Sequence, residues 1–251
     1  MNFVLARVLC VLAGYVFGLF ETGAIIAKKK NVDLRKEGSG NIGSTNSLRV
    51  MGVKAGLLTL LGDVMKCIIV MLLAMFIFKN MYPDNGYRLL MLYAGVGAIL
   101  GHDYPFYHNF KGGKGVACVG GMAIAFSPVL ALIALTFFVL IVWITKYVSL
   151  GSMLAECFIV VLIAVFGKLG YFVKLDGRNL TEAVIITALV ALLCIFQHRA
   201  NIGRLIKGEE NKFSFKNFAF LGAFFFVQII LASINPKGAI STLAPLPHKT
   251  T

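Results

Sequence analysis

Seven long apolar runs separated by short polar or basic stretches constrain this chain more than any other feature: 3–27, 55–78, 89–106, 115–145, 148–167, 180–197 and 217–236. Crossing about 30 Å of hydrocarbon takes roughly 20 helical residues, and most of these runs are close to that length or exceed it. In lipid every backbone N–H and C=O needs an internal partner, which a single run finds by coiling into a helix. With 59% hydrophobic and 14% charged among 251 residues, a disordered chain and a water-soluble globule are both excluded. The expectation is an all-α integral membrane protein. The opening run, interrupted by Arg7, is longer than a signal-peptide core and ends without a small-residue cleavage site, so it reads as a retained anchor. Cys10, Cys67, Cys118, Cys157 and Cys194 all sit inside apolar runs with no CxxC pair, which marks them as structural thiols.

The run 115–145 carries no charge and is too long for one untilted crossing. Ser127-Pro128 supplies a break, because proline removes a donor and disfavours helical geometry in the residue before it. Cations crowd three loops: Lys28, Lys29, Lys30, Arg35, Lys36 and Arg49 in the first, Lys111 and Lys114 in the second, and Arg199, Arg204, Lys207 and Lys212 in the third. The positive-inside rule puts all three at the cytoplasmic face. That demands an even number of crossings between Lys114 and Arg199, so 115–145 counts as two helices even though 115–127 is short. About seven transmembrane helices result, with 217–236 as an additional C-terminal hydrophobic helix. The loop from Lys168 to Arg178 then lies outside, at some cost in charge. The organisation expected is a membrane domain over 1–212 and a C-terminal extension over 213–251. The formal charge of +13 sits in short loops between apolar runs, which suits lipid headgroups and phosphorylated substrates and argues against nucleic acid.

The three basic loops are unusually rich in glycine and amides. The first reads Gly38-Ser39-Gly40-Asn41-Ile42-Gly43-Ser44-Thr45-Asn46-Ser47-Leu48-Arg49, a composition that leaves backbone N–H groups free to surround an anion. The second, Phe110-Lys111-Gly112-Gly113-Lys114-Gly115, precedes the charge-free run, so a helix opening at Gly115 would aim its dipole at whatever the lysines attract. It is not a P-loop, because Gly115 stands where Ser or Thr would be needed. In the third loop, His198, Asn201 and Arg204 or Leu205 share a face if the segment is helical.

Asp63 and Lys66, one turn apart inside an apolar run, relieve each other's burial as an internal pair or serve chemistry. Glu21 reads as structural, and His102 either shapes the site or caps a helix. No His is followed five positions later by Asp, which excludes the acid-base pair of acyl-CoA-dependent glycerolipid acyltransferases. There is no G-x-S-x-G nucleophile and no carboxylate cluster for a metal. Neither metal nor cofactor is expected.

Together the loops resemble one family, the bacterial acyl-phosphate-dependent glycerol-3-phosphate acyltransferases (the PlsY family). The matching segments are Ser39 to Asn46 with Arg49, Gly101-His102 and Phe110 to Ala117, and His198 to Ile202 with Arg204-Leu205 and Gly208-Glu209-Glu210. Asp63 to Lys66 and Lys146 to Ser152 add to the likeness, which extends over residues 10–212. Cys67 and Ser44 replace the family's usual Gly and Ala, the Ser-Ile-Pro run near Leu19 to Glu21 is missing, and the tail after Phe213 goes beyond the usual family end. The resemblance implies that a fatty acyl phosphate and glycerol-3-phosphate meet at the cytoplasmic face of a bacterial inner membrane. The products are 1-acyl-glycerol-3-phosphate (lysophosphatidic acid) and phosphate. Ser39, Lys114, His198 and Asn201 take the catalytic roles in that reading. Asn41, Thr45, Asn46, Arg49, Lys111, Gly112, Gly113, Ser152 and Arg204 bind substrate, with Ser149 the alternative to Ser152. A transporter of a phosphorylated small solute is the alternative function, and a non-catalytic lipid-binding protein a further one.

Overall fold

The computed structural model describes residues 2–173, 175 and 177–213, and among them every regular element is helical. These are α1 Phe3–Gly18, α2 Thr22–Lys29, α3 Ser44–Met51, α4 Val53–Phe78, α5 Gly86–Asp103, α6 Val116–Phe126, α7 Pro128–Thr145, α8 Val148–Lys168, α9 Gly177–Gln197 and α10 Arg199–Ile206, with a short 3-10 turn at Phe106–His108. Five stretches among the described residues are long and apolar enough to cross a membrane: Phe3–Lys29, Val53–Phe78, Pro128–Thr145, Val148–Lys168 and Gly177–Gln197. The protein is a multi-pass helical membrane protein. The run 217–236, and the 213–251 extension apart from Phe213, lie outside the described residues.

Some helix starts shift by two or three residues, and two runs are divided or cut short relative to the sequence expectation, each for a local reason. The run 3–27 is divided, with α1 ending at Gly18 and α2 resuming at Thr22. The ammonium of Lys66, from α4, donates to the carbonyls of Gly18 (3.0 Å) and Phe20 (2.9 Å). It thereby satisfies main chain that a continuous helix would have paired internally. The run 89–106 becomes α5, which stops at Asp103 because Pro105 pushes Tyr104 out of helical geometry, to φ −131° and ψ 58°.

The break at Ser127-Pro128 is where expected, with Ser127 extended at φ −156° and Pro128 opening α7. With 11 residues, α6 rises only about 16 Å, so its end falls short of a full hydrocarbon crossing. The carbonyl left without a helical partner there is not bare. Arg88, in the first turn of α5, donates to the Phe126 carbonyl at 2.8 Å, and its guanidinium lies 5.2 Å from the Phe126 ring centroid.

Packing starts from a seam of small residues. Gly14 and Gly18 of α1 lie against Gly97 and Gly101 of α5, so closely that a Cβ on Gly14 would be 2.1 Å from the Ala94 carbonyl oxygen and one on Gly101 2.2 Å from that of Tyr15. The two backbones touch directly, the close approach that small-xxx-small spacing permits in membranes. α4 packs on α1, α5 and α6 and carries the short α2 and α3, while α7, α8 and α9 form a second layer joined through α5–α9 and α6–α7 contacts. Contacts such as Arg35 to the Lys111 carbonyl (3.1 Å) and the Phe213 N–H to the Lys146 carbonyl (2.7 Å) gather the basic loops at one end of the bundle.

Candidate active site

A cavity of about 210 Å³ opens among these loops and runs inward between α6, α7 and α8. Its first wall is the loop ahead of α3. Asn46, 2% exposed, holds that loop. Its amide nitrogen donates to the carbonyls of Leu34, Glu37 and Asn41, and its oxygen accepts from the Ser39 N–H (2.8 Å) and Arg49 (3.2 Å). Asn41 accepts the Gly43 N–H at 2.8 Å, turning the chain into α3. The first turn of α3 therefore faces the cavity with its orphan amides, flanked by Ser39 and Arg49.

The second wall is the segment before α6. Gly112 and Gly113 donate their N–H groups to the carbonyls of Asp103 (3.0 Å) and His102 (2.9 Å), which completes the end of α5. At Gly113 a Cβ would lie 2.0 Å from His102 Nε2, so only glycine allows this approach. Gly115 caps α6 at φ 73°, a left-handed angle natural to glycine. The N-terminus of α6 thus joins that of α3 at the cavity, with Lys114 between them.

Behind these loops lies a buried charged floor. Lys66 is 3.3 Å from Asp63 and 2.8 Å from His102 Nδ1, and that nitrogen is 3.1 Å from Glu21. All four residues are buried, and Asp63 and His102 line the cavity. His102 therefore does more than cap a helix, since its carbonyl and its ring both support the glycines that place Lys114.

The third wall is the turn from α9 into α10 and the strand of chain after it. His198 Nδ1 sits 2.8 Å from the Cys194 carbonyl, which requires the proton on that nitrogen and leaves Nε2 as an acceptor. Burial, with Lys114 nearby, lowers the His198 pKa to about 4, so the ring is neutral. Asn201 accepts a hydrogen bond from Lys114 and donates to Glu210 at 2.6 Å. Glu210 also accepts from Ser149 (2.9 Å) and Arg204 (2.7 Å). Burial alone would raise the Glu210 pKa, but the hydrogen bonds from Asn201, Arg204 and Ser149 hold it below the usual value. Lys114 is pushed down to about 8, first by burial and then by Arg204, with Glu210 opposing.

The structure thus gathers Ser39, Asn41, Thr45, Asn46, Arg49, Lys114, Ser152, His198 and Asn201 around one cavity. Lys111, Gly112, Gly113 and Arg204 do not line it; the two glycines support the Lys114 loop, and Arg204 acts through Glu210. Both serines of α8 reach the cavity, Ser149 tied to Glu210 and Ser152 to the Val148 carbonyl at 2.9 Å. The sequence reading missed Glu210 as the hub of the third wall, and Glu156 in the inner arm. An acid closing a strongly basic loop was the available signal for the first; the second had none. The inner arm is apolar, with Val119, Ala123, Ala131, Ala134, Leu135, Phe138 and Ile159. Chemically, the site offers cations and two helix N-termini for anions at its mouth, a neutral imidazole beside them, and a slot for a hydrocarbon chain. Among the described residues no cluster of His, Cys, Asp and Glu could hold a metal ion.

The family model described as glycerol-3-phosphate acyltransferase matches residues 8–208. A glycerol-3-phosphate acyltransferase of Chlorobium luteolum is 37% identical over 227 residues, covering 82% of this chain and 97% of that protein. One from Halalkalibacterium halodurans is 41% identical over 207 residues, covering 81% and 94%. The crystal structure of PlsY (YgiH), an integral membrane glycerol 3-phosphate acyltransferase in its glycerol 3-phosphate form, superposes with a TM-score of 0.71 at 32% identity. It covers 85% of this chain and 98% of that one. Its lysophosphatidic acid form gives 0.69 at 31%.

Proposed function

The chain belongs to the glycerol-3-phosphate acyltransferase family, and from that premise we propose that it transfers a fatty acyl group from acyl phosphate to the 1-hydroxyl of sn-glycerol-3-phosphate. The observation that carries this reading is one cavity with a cationic, amide-rich mouth and an apolar arm, matching a phosphorylated polar acceptor and a phosphorylated lipid donor. Lys114, Arg49 and the N-termini of α3 and α6 hold the two phosphate groups near each other, with Thr45 and Asn41 at the rim and Lys111 at the approach. His198 Nε2 and Ser39 orient the attacking hydroxyl, and Asn201 fixes Lys114.

The hydroxyl oxygen bonds to the acyl carbonyl carbon, the carbon–oxygen bond to phosphate breaks, and the hydroxyl proton passes to the departing phosphate. With a pKa of about 4, His198 is too weak a base to keep that proton. It orients by accepting a hydrogen bond. Because phosphate is a good leaving group, no covalent acyl-enzyme is required. In this reading the chain makes seven passes, α1 and α4 to α9 with the short α6 ending inside the hydrocarbon, the mouth of the site faces the cytoplasmic side of the inner membrane, and 1–212 is the acyltransferase domain. The basic loops gathered at one end of the bundle support that topology. A carrier of phosphorylated solutes would need its polar groups near the midplane, and the relatives support the acyltransferase instead.

Purified protein given palmitoyl phosphate and glycerol-3-phosphate is expected to release inorganic phosphate and form lysophosphatidic acid, and to form no product from palmitoyl-CoA. Product from the thioester alone would reverse the donor assignment. The pH dependence follows from Lys114. In the free enzyme its charge is present below about 8 and lost above it, so kcat/KM for glycerol-3-phosphate should hold from pH 7 to 8 and then fall about tenfold per unit. The kcat limb should lie higher, because bound phosphate favours the charged amine. A kcat/KM profile still flat at about pH 10 would remove Lys114 as the titrating group.

A further inference from the structure

We propose that Glu156 forms a hydroxyl-recognising subsite in the inner arm of the cavity, so that the enzyme favours acyl donors bearing a hydroxyl near the carboxyl end over unsubstituted chains. This rests on the acyltransferase reading above and adds a substrate class to it. Glu156 lines the cavity and is 4% exposed. Among the described residues neither of its carboxyl oxygens has an N–H or O–H hydrogen-bond partner. The groups that act on it are the Cys194 thiol, close enough for a thiol hydrogen bond but a weak donor, and the Asp103 carboxyl, within electrostatic reach. Elsewhere this part of the arm is hydrocarbon, from Ala131, Ala134, Leu135, Phe138 and Ile159.

The level of the subsite follows from the helix. Ser149, Ser152 and Glu156 lie on one face of α8, so Glu156 sits about 6 Å beyond Ser152 along the axis and about 10 Å beyond Ser149. Ser149 marks the reacting end, because it is bonded to Glu210, which is bonded to Asn201, the partner of Lys114. Helical side chains lean back towards the start of their helix, which brings the carboxyl nearer to the reacting end. It therefore faces the first several carbons of a chain whose carbonyl lies beside Lys114. Methylenes at that level leave a buried carboxyl with no donor stronger than the Cys194 thiol; a hydroxyl, being both donor and acceptor, satisfies it. A site holding an unpaired buried polar group discriminates against the ligand that cannot pair it.

The test uses the full chain and sixteen-carbon acyl phosphates that are unsubstituted, hydroxylated at the third or sixth carbon, or hydroxylated at the far terminus. Expected for the unaltered protein is a kcat/KM about tenfold higher for one of the two proximal hydroxyl donors than for the unsubstituted one, and no gain for the terminal hydroxyl. Glu156→Gln should keep most of that preference. Glu156→Leu should abolish it and speed turnover of the unsubstituted donor. Equal kcat/KM for all donors in the unaltered protein would overturn the subsite, and needs no variant to fold. So would a preference that survives Glu156→Leu, or a uniform loss on every donor, which would assign Glu156 to supporting Cys194 and His198. Failure to turn over any acyl phosphate would instead strike the acyltransferase reading and take the subsite with it.

Discussion

Lys114→Ala is expected to lower kcat/KM for acyl transfer by roughly 10²- to 10³-fold, the scale for removing one preorganised charge-stabilising donor, while the protein remains folded. The ammonium stands between the N-termini of α3 and α6 and donates to Asn201. Its removal takes the central cation from the mouth but leaves Glu210 still joined to Ser149, Asn201 and Arg204. Phosphate release measured beside thermal unfolding in detergent separates the two effects. A rate within a few-fold of the unaltered protein, with melting unchanged, would mean that the phosphates are held elsewhere.

The second large effect is on the fold. Lys66→Met is expected to cost about 3–5 kcal/mol, the usual penalty for breaking a buried ion pair from one side, and to lower Tm by on the order of 10 °C. The substitution leaves Asp63 and Glu21 buried without their cation and strips the donor from the Gly18 and Phe20 carbonyls. Adding Asp63→Asn should restore part of the loss, since the two sites share one network. Differential scanning of both variants checks this. A Lys66→Met protein that melts with the unaltered one would reduce the floor to a bystander.

What the sequence made legible was whatever depends on neighbours along the chain. Apolar length announced the helices, Ser127-Pro128 announced the turn between α6 and α7, and glycine beside lysine announced the second wall. Pairings through space were hidden. Nothing around Leu19 foretells that Lys66, far along the chain, will take its neighbours' carbonyls and split the first apolar run. Spacing also told which loops carry chemistry but not which way each side chain faces. Lys114 lines the cavity while Lys111, three residues earlier, is exposed outside it. Glu210 looked like one acid in a charged tail, yet three donors from two helices converge on it. Of the thirteen residues nominated, those lining the cavity are mostly the ones at a helix start or end, where local geometry fixes direction.

The contact between α1 and α5 has a bearing on how such a protein can vary. Where two main chains touch with no side chains between them, the spacing is set by atoms that every amino acid shares, and it tolerates no added methyl group. Substitutions elsewhere on α1, whose outer flank of Val4, Leu5, Val8, Leu12 and Val16 is exposed, leave that spacing alone. The lipid-facing flank is therefore free to drift towards membranes of different thickness or fluidity, while the level of His102, and with it the glycine step that delivers Lys114, stays where it is.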